Sequence, residues 1–198
     1  MGEIGVEGQT RVWLMQAQGG DQQGFSELYE HIAPSLHTWA HLRIRPEQSA
    51  FLDPADLVQE VWLRAWRQME TFEGDGSYFR FWIFRIAKNV LLEAVRKGQR
   101  TKGAGGSTTR LRRAHEQIDQ VTAVSQRLAR DESLELFRKH VADLPEDDRK
   151  LVLHCGLEGL PHAQVAERLG LGVEAVTKRW QRLRARLAHS ELPTYLLA

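Results

Sequence analysis

Between Phe72 and Lys97 the chain reads FEGDGSYFRFWIFRIAKNVLLEAVRK. It crowds Phe72, Tyr78, Phe79, Phe81, Trp82 and Phe84 ahead of Arg85, Lys88, Asn89, Arg96 and Lys97. Rings give flat surfaces on which unpaired bases stack, an amide gives a base edge both a donor and an acceptor, and cations hold phosphates. The chemistry of such a set is non-covalent: it would hold nucleotides drawn out of a duplex. A competing reading makes the same rings the buried face of a core helix, because large apolar side chains are usually inside. The segment alone fits both.

A second basic stretch lies toward the other end, where Glu174–His189 carries Lys178, Arg179, Arg182, Arg184 and Arg186 against Glu174. Its surroundings have a specific spacing. Val165, Ala166 and Leu169 precede Gly170-Leu171-Gly172, and Val173, Val176, Trp180, Leu183 and Leu187 follow at helical steps. A small Ala for close packing, a Gly for a sharp turn and a Val four places beyond Gly172 describe a helix-turn-helix. Its second helix would turn Glu174, Thr177, Lys178, Gln181, Arg182 and Arg184 outward, toward phosphates and base edges of a major groove. An ordinary duplex-binding regulator uses the same unit, and a hairpin packed only for structure shares its apolar stripe.

The elements that must position these residues read as helices. Period-two alternation bounded by turns is missing and helical periodicity is nearly everywhere, so the expected class is all-α. Asp21–Arg45 places Phe25, Leu28, Ile32, Leu36, Trp39 and Leu42 at three- and four-residue steps, with Pro34 as an expected kink. Asp53-Pro54-Ala55-Asp56 opens a helix with Asp53 as N-cap, Pro54 in the first turn and Asp56 complementing the dipole. That helix runs to about Met69 and buries Leu57, Val61, Ala65 and Trp66. Glu73–Gly76 is a turn, Ser77 the expected cap, and Tyr78–Lys97 the next helix. Gly98–Thr109 has the Gly/Ser/Thr content of a flexible linker, and Leu111–Ala142 looks helical again. Helices at 146–156, 161–169 and 173–188 complete the reading. The expectation is therefore two small helical domains joined by a flexible linker: residues 1–97, a linker over 98–124, and residues 125–198 holding the helix-turn-helix.

Composition narrows the classes. Hydrophobic residues at 42% and charged residues at 27% are those of a folded soluble chain. No apolar run reaches the roughly 18 residues of a membrane-spanning helix, so no membrane insertion is expected. Met1–Thr10 lacks the basic and apolar parts of a secretion signal, and the single Cys155 cannot form an internal disulfide; both point to a reducing cytoplasm. The net charge of +1 does not suggest nucleic acid, but the two basic segments do, while acid gathers in Asp53–Glu60 and Glu146–Asp148. No motif brings Ser, His and Asp together, and no Gly-Lys motif for ATP is present, so no enzyme is expected. His37 and His41 stand four apart without a carboxylate or Cys pattern to complete a metal site. His154, Cys155 and His162 read as a helix end and a loop, with Cys155 a small core residue. No cofactor or metal is expected.

Asp53–Trp66 (DPADLVQEVWLRAW), Phe72–Lys97 with FWIFRIAKNV inside it, and Leu144–Leu187 (LPEDDRKLVLHCGLEGLPHAQVAERLGLGVEAVTKRWQRLRARL) together resemble a known family. They look like the second and fourth conserved regions of bacterial RNA polymerase sigma factors of the small extracytoplasmic-function type, in the family's order. The resemblance implies a dissociable subunit that binds core RNA polymerase and directs it to promoters through −35 and −10 elements. It places Asp56, Leu57, Gln59, Glu60 and Arg64 on the clamp helices of the polymerase's largest subunit, and it adds the flap of the second-largest subunit as a partner. It assigns Phe72, Tyr78, Phe79, Arg85, Ile86, Lys88, Asn89 and Arg96 to the −10 element, with a flipped base held by Phe72, the turn Glu73–Tyr78, Ile86 and Asn89. It assigns Glu174, Thr177, Lys178, Arg179, Gln181, Arg182 and Arg184 to the −35 element. An anti-sigma protein and a cytoplasmic, nucleoid-associated life also follow from the resemblance. Two departures stand out: Thr177-Lys178-Arg179 replaces the usual Arg-Ser-Arg, and Leu160-Pro161-His162 replaces the usual Leu-Ser-Tyr.

Overall fold

Helix α1 (Val6–Gln18) buries Leu14 and Ala17 and packs on α2 (Gln22–Arg43), whose start is fixed by Asp21 accepting the Gln23 N–H at 2.8 Å. α2 stays helical on both sides of Pro34 and buries Leu28, Tyr29, Ile32, Leu36 and Trp39. α3 (Pro54–Gln68) begins as the sequence predicts: Asp53 accepts the Ala55 N–H at 2.7 Å and the Asp56 N–H at 3.4 Å, with Pro54 in the first turn. Its buried face is Leu57, Val58, Val61, Trp62 and Ala65. The aromatic in that core is Trp62; Trp66, the residue expected there, is half-buried. α4 (Gly76–Thr101) starts under Asp75, whose carboxylate accepts the Tyr78 N–H at 3.0 Å; the side chain of Ser77, the expected cap, lies outside what the structure describes.

The structure, a computed structural model, describes residues 6–101, 127–128, 130–190 and 192–197, and contains no strand among them. The all-α expectation holds. The chain divides into two compact units, Met1–Ala129 and Arg130–Ala198. α4 continues four residues beyond the expected end at Lys97, and Gly98 there is buried beneath the Phe51 ring, where a Cβ would stand 2.2 Å from Phe51 Cε2. That glycine answers to close packing. The remainder of the expected linker, and residues 111–126 of the expected following helix, lie outside the described residues.

The second unit opens with α5 (Glu132–Ala142), capped by Asp131 on the Ser133 and Leu134 N–H groups. α6 (Glu146–Leu151) runs directly into a π-helical turn, Val152–Leu157. Next come α7 (His162–Leu169) and α8 (Val173–His189), then a short 3-10 turn, Thr194–Leu196. α7 ends on Gly170 at φ 65° and ψ 33°, a left-handed turn that a side chain would strain and that lets the chain reverse into α8. Val165, Ala166, Val176, Trp180, Leu183 and Leu187 are buried, as the spacing predicts for a helix-turn-helix; Val173, placed in the same stripe, is instead exposed at the first position of α8, and Leu169 is half-buried.

Candidate nucleic-acid interface

The rings of the first unit fall into two groups. Phe79 is fully buried, with ring centroids 6.4 Å from Trp62, 5.8 Å from Phe72 and 5.6 Å from Trp82. Trp62 in turn meets Phe25 at 5.6 Å and Tyr29 at 5.0 Å, so one aromatic column joins α2, α3 and α4. Phe84 lies 5.9 Å from Trp39 inside the same core. Burial of Phe79 and Ile86 corrects the expectation that either faces DNA; both hold α4 down by apolar packing. Phe72 is buried as well, and Gly74 lies over it so closely that a Cβ there would stand 2.5 Å from Cζ. Gln18 of α1, a residue with no sequence signal of its own, donates to the Phe72 carbonyl at 2.8 Å and steadies this loop.

The outer face of α4 is different. Tyr78, Arg85, Asn89, Leu92 and Arg96 are all exposed, and at 100° per residue they fall within about 60° of one another. Lys88 and Phe81 flank them half-buried. The result is one stripe carrying a ring, an amide, an apolar side chain and two guanidinium groups. Arg80 does not join it: its guanidinium lies 5.7 Å from the Phe84 ring centroid, and burial pushes its pKa down to about 10.

On α3, Leu57 is buried, so it supports the helix from inside and offers no docking surface. Asp56, Gln59, Glu60 and Arg64 are half-buried at the rim. Arg64 donates to Glu60 Oε1 at 2.8 Å and to Glu93 Oε2 at 2.7 Å, tying α3 to α4. The hydrogen bond from Arg64 holds the Glu93 carboxyl below its usual range, and the bond to Glu93 raises the guanidinium. Glu93 was not foreseen in this network because it lies 29 positions from Arg64 in sequence.

In the second unit α8 exposes Glu174, Lys178, Gln181, Arg182 and Arg184. Lys178 pairs with Glu174 at 2.6 Å and Arg182 Nε donates to the Lys178 carbonyl at 3.3 Å. Arg179, which the resemblance assigns to the −35 element, is tied to α6 in this unit. Its Nε donates to Asp148 Oδ1 at 2.7 Å and its terminal nitrogen to Asp147 Oδ2 at 3.2 Å, while Arg186 donates to Asp148 Oδ2 at 2.9 Å. Two α6 carboxylates therefore clamp one flank of α8 through Arg179 and Arg186, about 40–60° round the helix from the exposed Arg182. Thr177 is half-buried and hydrogen-bonded to His162.

The remaining candidates have structural partners. His154 Nδ1 and Glu158 Oε2 are 3.0 Å apart, and burial pushes the Cys155 thiol up to about 11. The His37 and His41 rings pack edge-on at 4.7 Å. Among the described residues, no group of three or more His, Cys, Asp or Glu is placed to hold a metal ion, and no helix is long and apolar enough to cross a membrane.

One unit with a helix-turn-helix and a basic outer helix, and another bearing a ring–amide–cation stripe, are the build of a two-part DNA-binding protein. Comparison with known families assigns it further. Residues 8–192 match the model of the ECF sigma factor family, and the chain belongs to that family of RNA polymerase sigma factors. It is similar to the ECF RNA polymerase sigma factor SigM of Mycobacterium tuberculosis, at 27% identity over 169 residues, covering 85% of this chain and 78% of SigM. It is likewise similar to the ECF RNA polymerase sigma-E factor of Escherichia coli, at 25% identity over 189 residues, covering 92% of this chain and 94% of the relative. Among solved structures, CnrH in complex with the cytosolic domain of CnrY matches with a TM-score of 0.45 and 25% identity, covering 91% of this chain and 96% of that one.

Proposed function

We propose that this chain is a dissociable promoter-specificity subunit that docks on core RNA polymerase, locates −35 and −10 elements with its second and first units, and melts the latter. The observation that carries this reading is the exposed stripe Tyr78, Arg85, Asn89, Leu92 and Arg96 on α4. A duplex-binding regulator needs only the helix-turn-helix and has no use for such a stripe. Asp56, Gln59, Glu60 and Arg64 form the polymerase-facing rim, and the ion pairs of Arg64 keep it in register with the DNA-facing helix. The partners are core RNA polymerase (the clamp helices of its largest subunit and the flap of the second-largest), promoter DNA and an anti-sigma protein, and the setting is the cytoplasm.

Opening the −10 element takes no nucleotide fuel in this scheme. Each unstacked step costs a few kcal/mol, and stacking on an exposed ring returns about 1–3 kcal/mol per base. A base entering beside Phe72 requires the Glu73–Gly76 turn to lift from the ring it covers. Asn89→Ala is expected to slow promoter opening and relax −10 selectivity while leaving core binding intact; normal opening on matched promoters removes Asn89 from the site. Arg182→Ala is expected to weaken −35 duplex binding and reduce its salt slope by about 1, the signature of one lost phosphate contact. The decisive experiment is pull-down with purified core polymerase followed by run-off transcription. A chain that binds duplex DNA but not polymerase is a simple regulator.

A further inference from the structure

The two places where the chain departs from the family's usual fourth-region pattern meet in space. His162 Nδ1, at the start of α7, lies 2.8 Å from Thr177 Oγ1 on α8. Thr177 Oγ1 is also 2.9 Å from the Val173 carbonyl. A hydroxyl has one proton to give, and a carbonyl can only accept. Both contacts are satisfied together when that proton goes to Val173 and His162 Nδ1–H donates to the hydroxyl oxygen. The polar end of Thr177 is then occupied on both sides, and its methyl is what it has left to offer.

The neighbours of Thr177 are apolar as well. Val173, one turn back on the same flank, is 49% exposed, and Leu171 in the preceding turn is 39% exposed. On the same flank, two turns further along α8, Arg184 is exposed, a cation suited to phosphates. In a helix-turn-helix the first residues of the second helix reach base edges. The one apolar feature on the major-groove edge of a base pair is the C5 methyl of thymine. We infer that Leu171, Val173 and the Thr177 methyl read thymine methyl groups in the −35 element, and that His162 is a positioning residue that aims the Thr177 methyl by holding its hydroxyl. The inference rests on the reading of α8 as the −35 helix.

The test uses the full chain with core RNA polymerase. Duplexes are selected from a pool randomised over the −35 region, and each selected thymine is then replaced by uracil, which lacks only the methyl. Replacement at one or two positions is expected to weaken binding about three- to fivefold, the worth of one buried methyl. Thr177→Ser and Val173→Ala should each bring the thymine-to-uracil ratio at one position toward unity, while Thr177→Val keeps it. His162→Ala should lower the ratio, and His162→Asn, whose amide N–H stands in for Nδ1–H, should restore it. A ratio does not depend on the active fraction, so a poorly folded variant cannot imitate this pattern. Equal binding of thymine and uracil duplexes by the parent overturns the inference. So does discrimination that survives Thr177→Ser and Val173→Ala together, which turns the patch toward a protein partner. If the chain with polymerase selects no duplex at all, the −35 reading itself fails and this inference goes with it.

Discussion

Phe79→Ala is expected to destabilise the first unit by about 3–5 kcal/mol, whereas its neighbour Tyr78→Ala changes stability by no more than about 0.5 kcal/mol. Phe79 is fully enclosed and touches the Trp62, Phe72 and Trp82 rings, so truncation opens a cavity where three elements meet. Tyr78 is 48% exposed, and its ring meets the half-buried Phe81 at 5.1 Å. The functional order should be reversed. If Tyr78 stacks on an unpaired base, its loss slows promoter opening about tenfold through one missing stacking contact. Urea unfolding followed by tryptophan emission suits the first measurement, because of the chain's 6 tryptophans only Trp180 lies in the second unit. Open-complex formation on a matched promoter gives the second. Similar stability losses for the two variants would place Tyr78 in the core and remove the ring from the proposed interface.

This contrast also shows where the sequence is legible. A helix start and a helix end could be read because a cap is a local event: Asp53 with Pro54 at the start of α3, and Gly170 with its left-handed turn at the end of α7, need only their own neighbours. The helix-turn-helix core was legible for the same reason, since Ala166, Val176, Trp180, Leu183 and Leu187 repeat at the helical period. Facing within a run of rings was not legible. Tyr78 and Phe79 are adjacent and both apolar, and the choice between them is made by Trp62 and Phe72 from other elements. Trp62 and Trp66, four apart on one stripe, posed the same ambiguity, and Tyr29 on α2 accompanies the deeper one. α1 carries little sequence signal because its buried residues are the polar Thr10, Leu14 and the small Ala17. Among charges, sequence position gave no warning that Arg179 is held by carboxylates 31 and 32 residues away.

That clamp leads to the other large effect. Asp148→Asn keeps the shape of the side chain but removes the charge that Arg179 and Arg186 share. We expect a loss of about 2 kcal/mol in the second unit: less than for a sealed ion pair, because Arg179 is partly exposed and Arg186 mostly so. Burial alone would raise the Asp148 carboxyl, but the hydrogen bonds from Arg179 and Arg186 outweigh it and hold the group below its ordinary value of 3.8. A depressed carboxylate stabilises the fold fully above its unfolded value and loses that contribution as pH falls through the folded one. The gap in stability between the parent and Asp148→Asn should therefore be constant near neutral pH and close as pH drops below about 4. Hydrogen exchange in peptides from α6 and α8 of the full chain reads this unit separately. DNA binding should move the opposite way. Arg186 loses its carboxylate while Arg179 keeps Asp147, so one guanidinium becomes available to phosphates, steepening the salt dependence by about 1 while sequence discrimination falls because α8 is less firmly seated. An Asp148→Asn chain with parental stability at neutral pH and an unchanged salt slope would mean that Asp148 neither fixes the recognition helix nor withholds its cations.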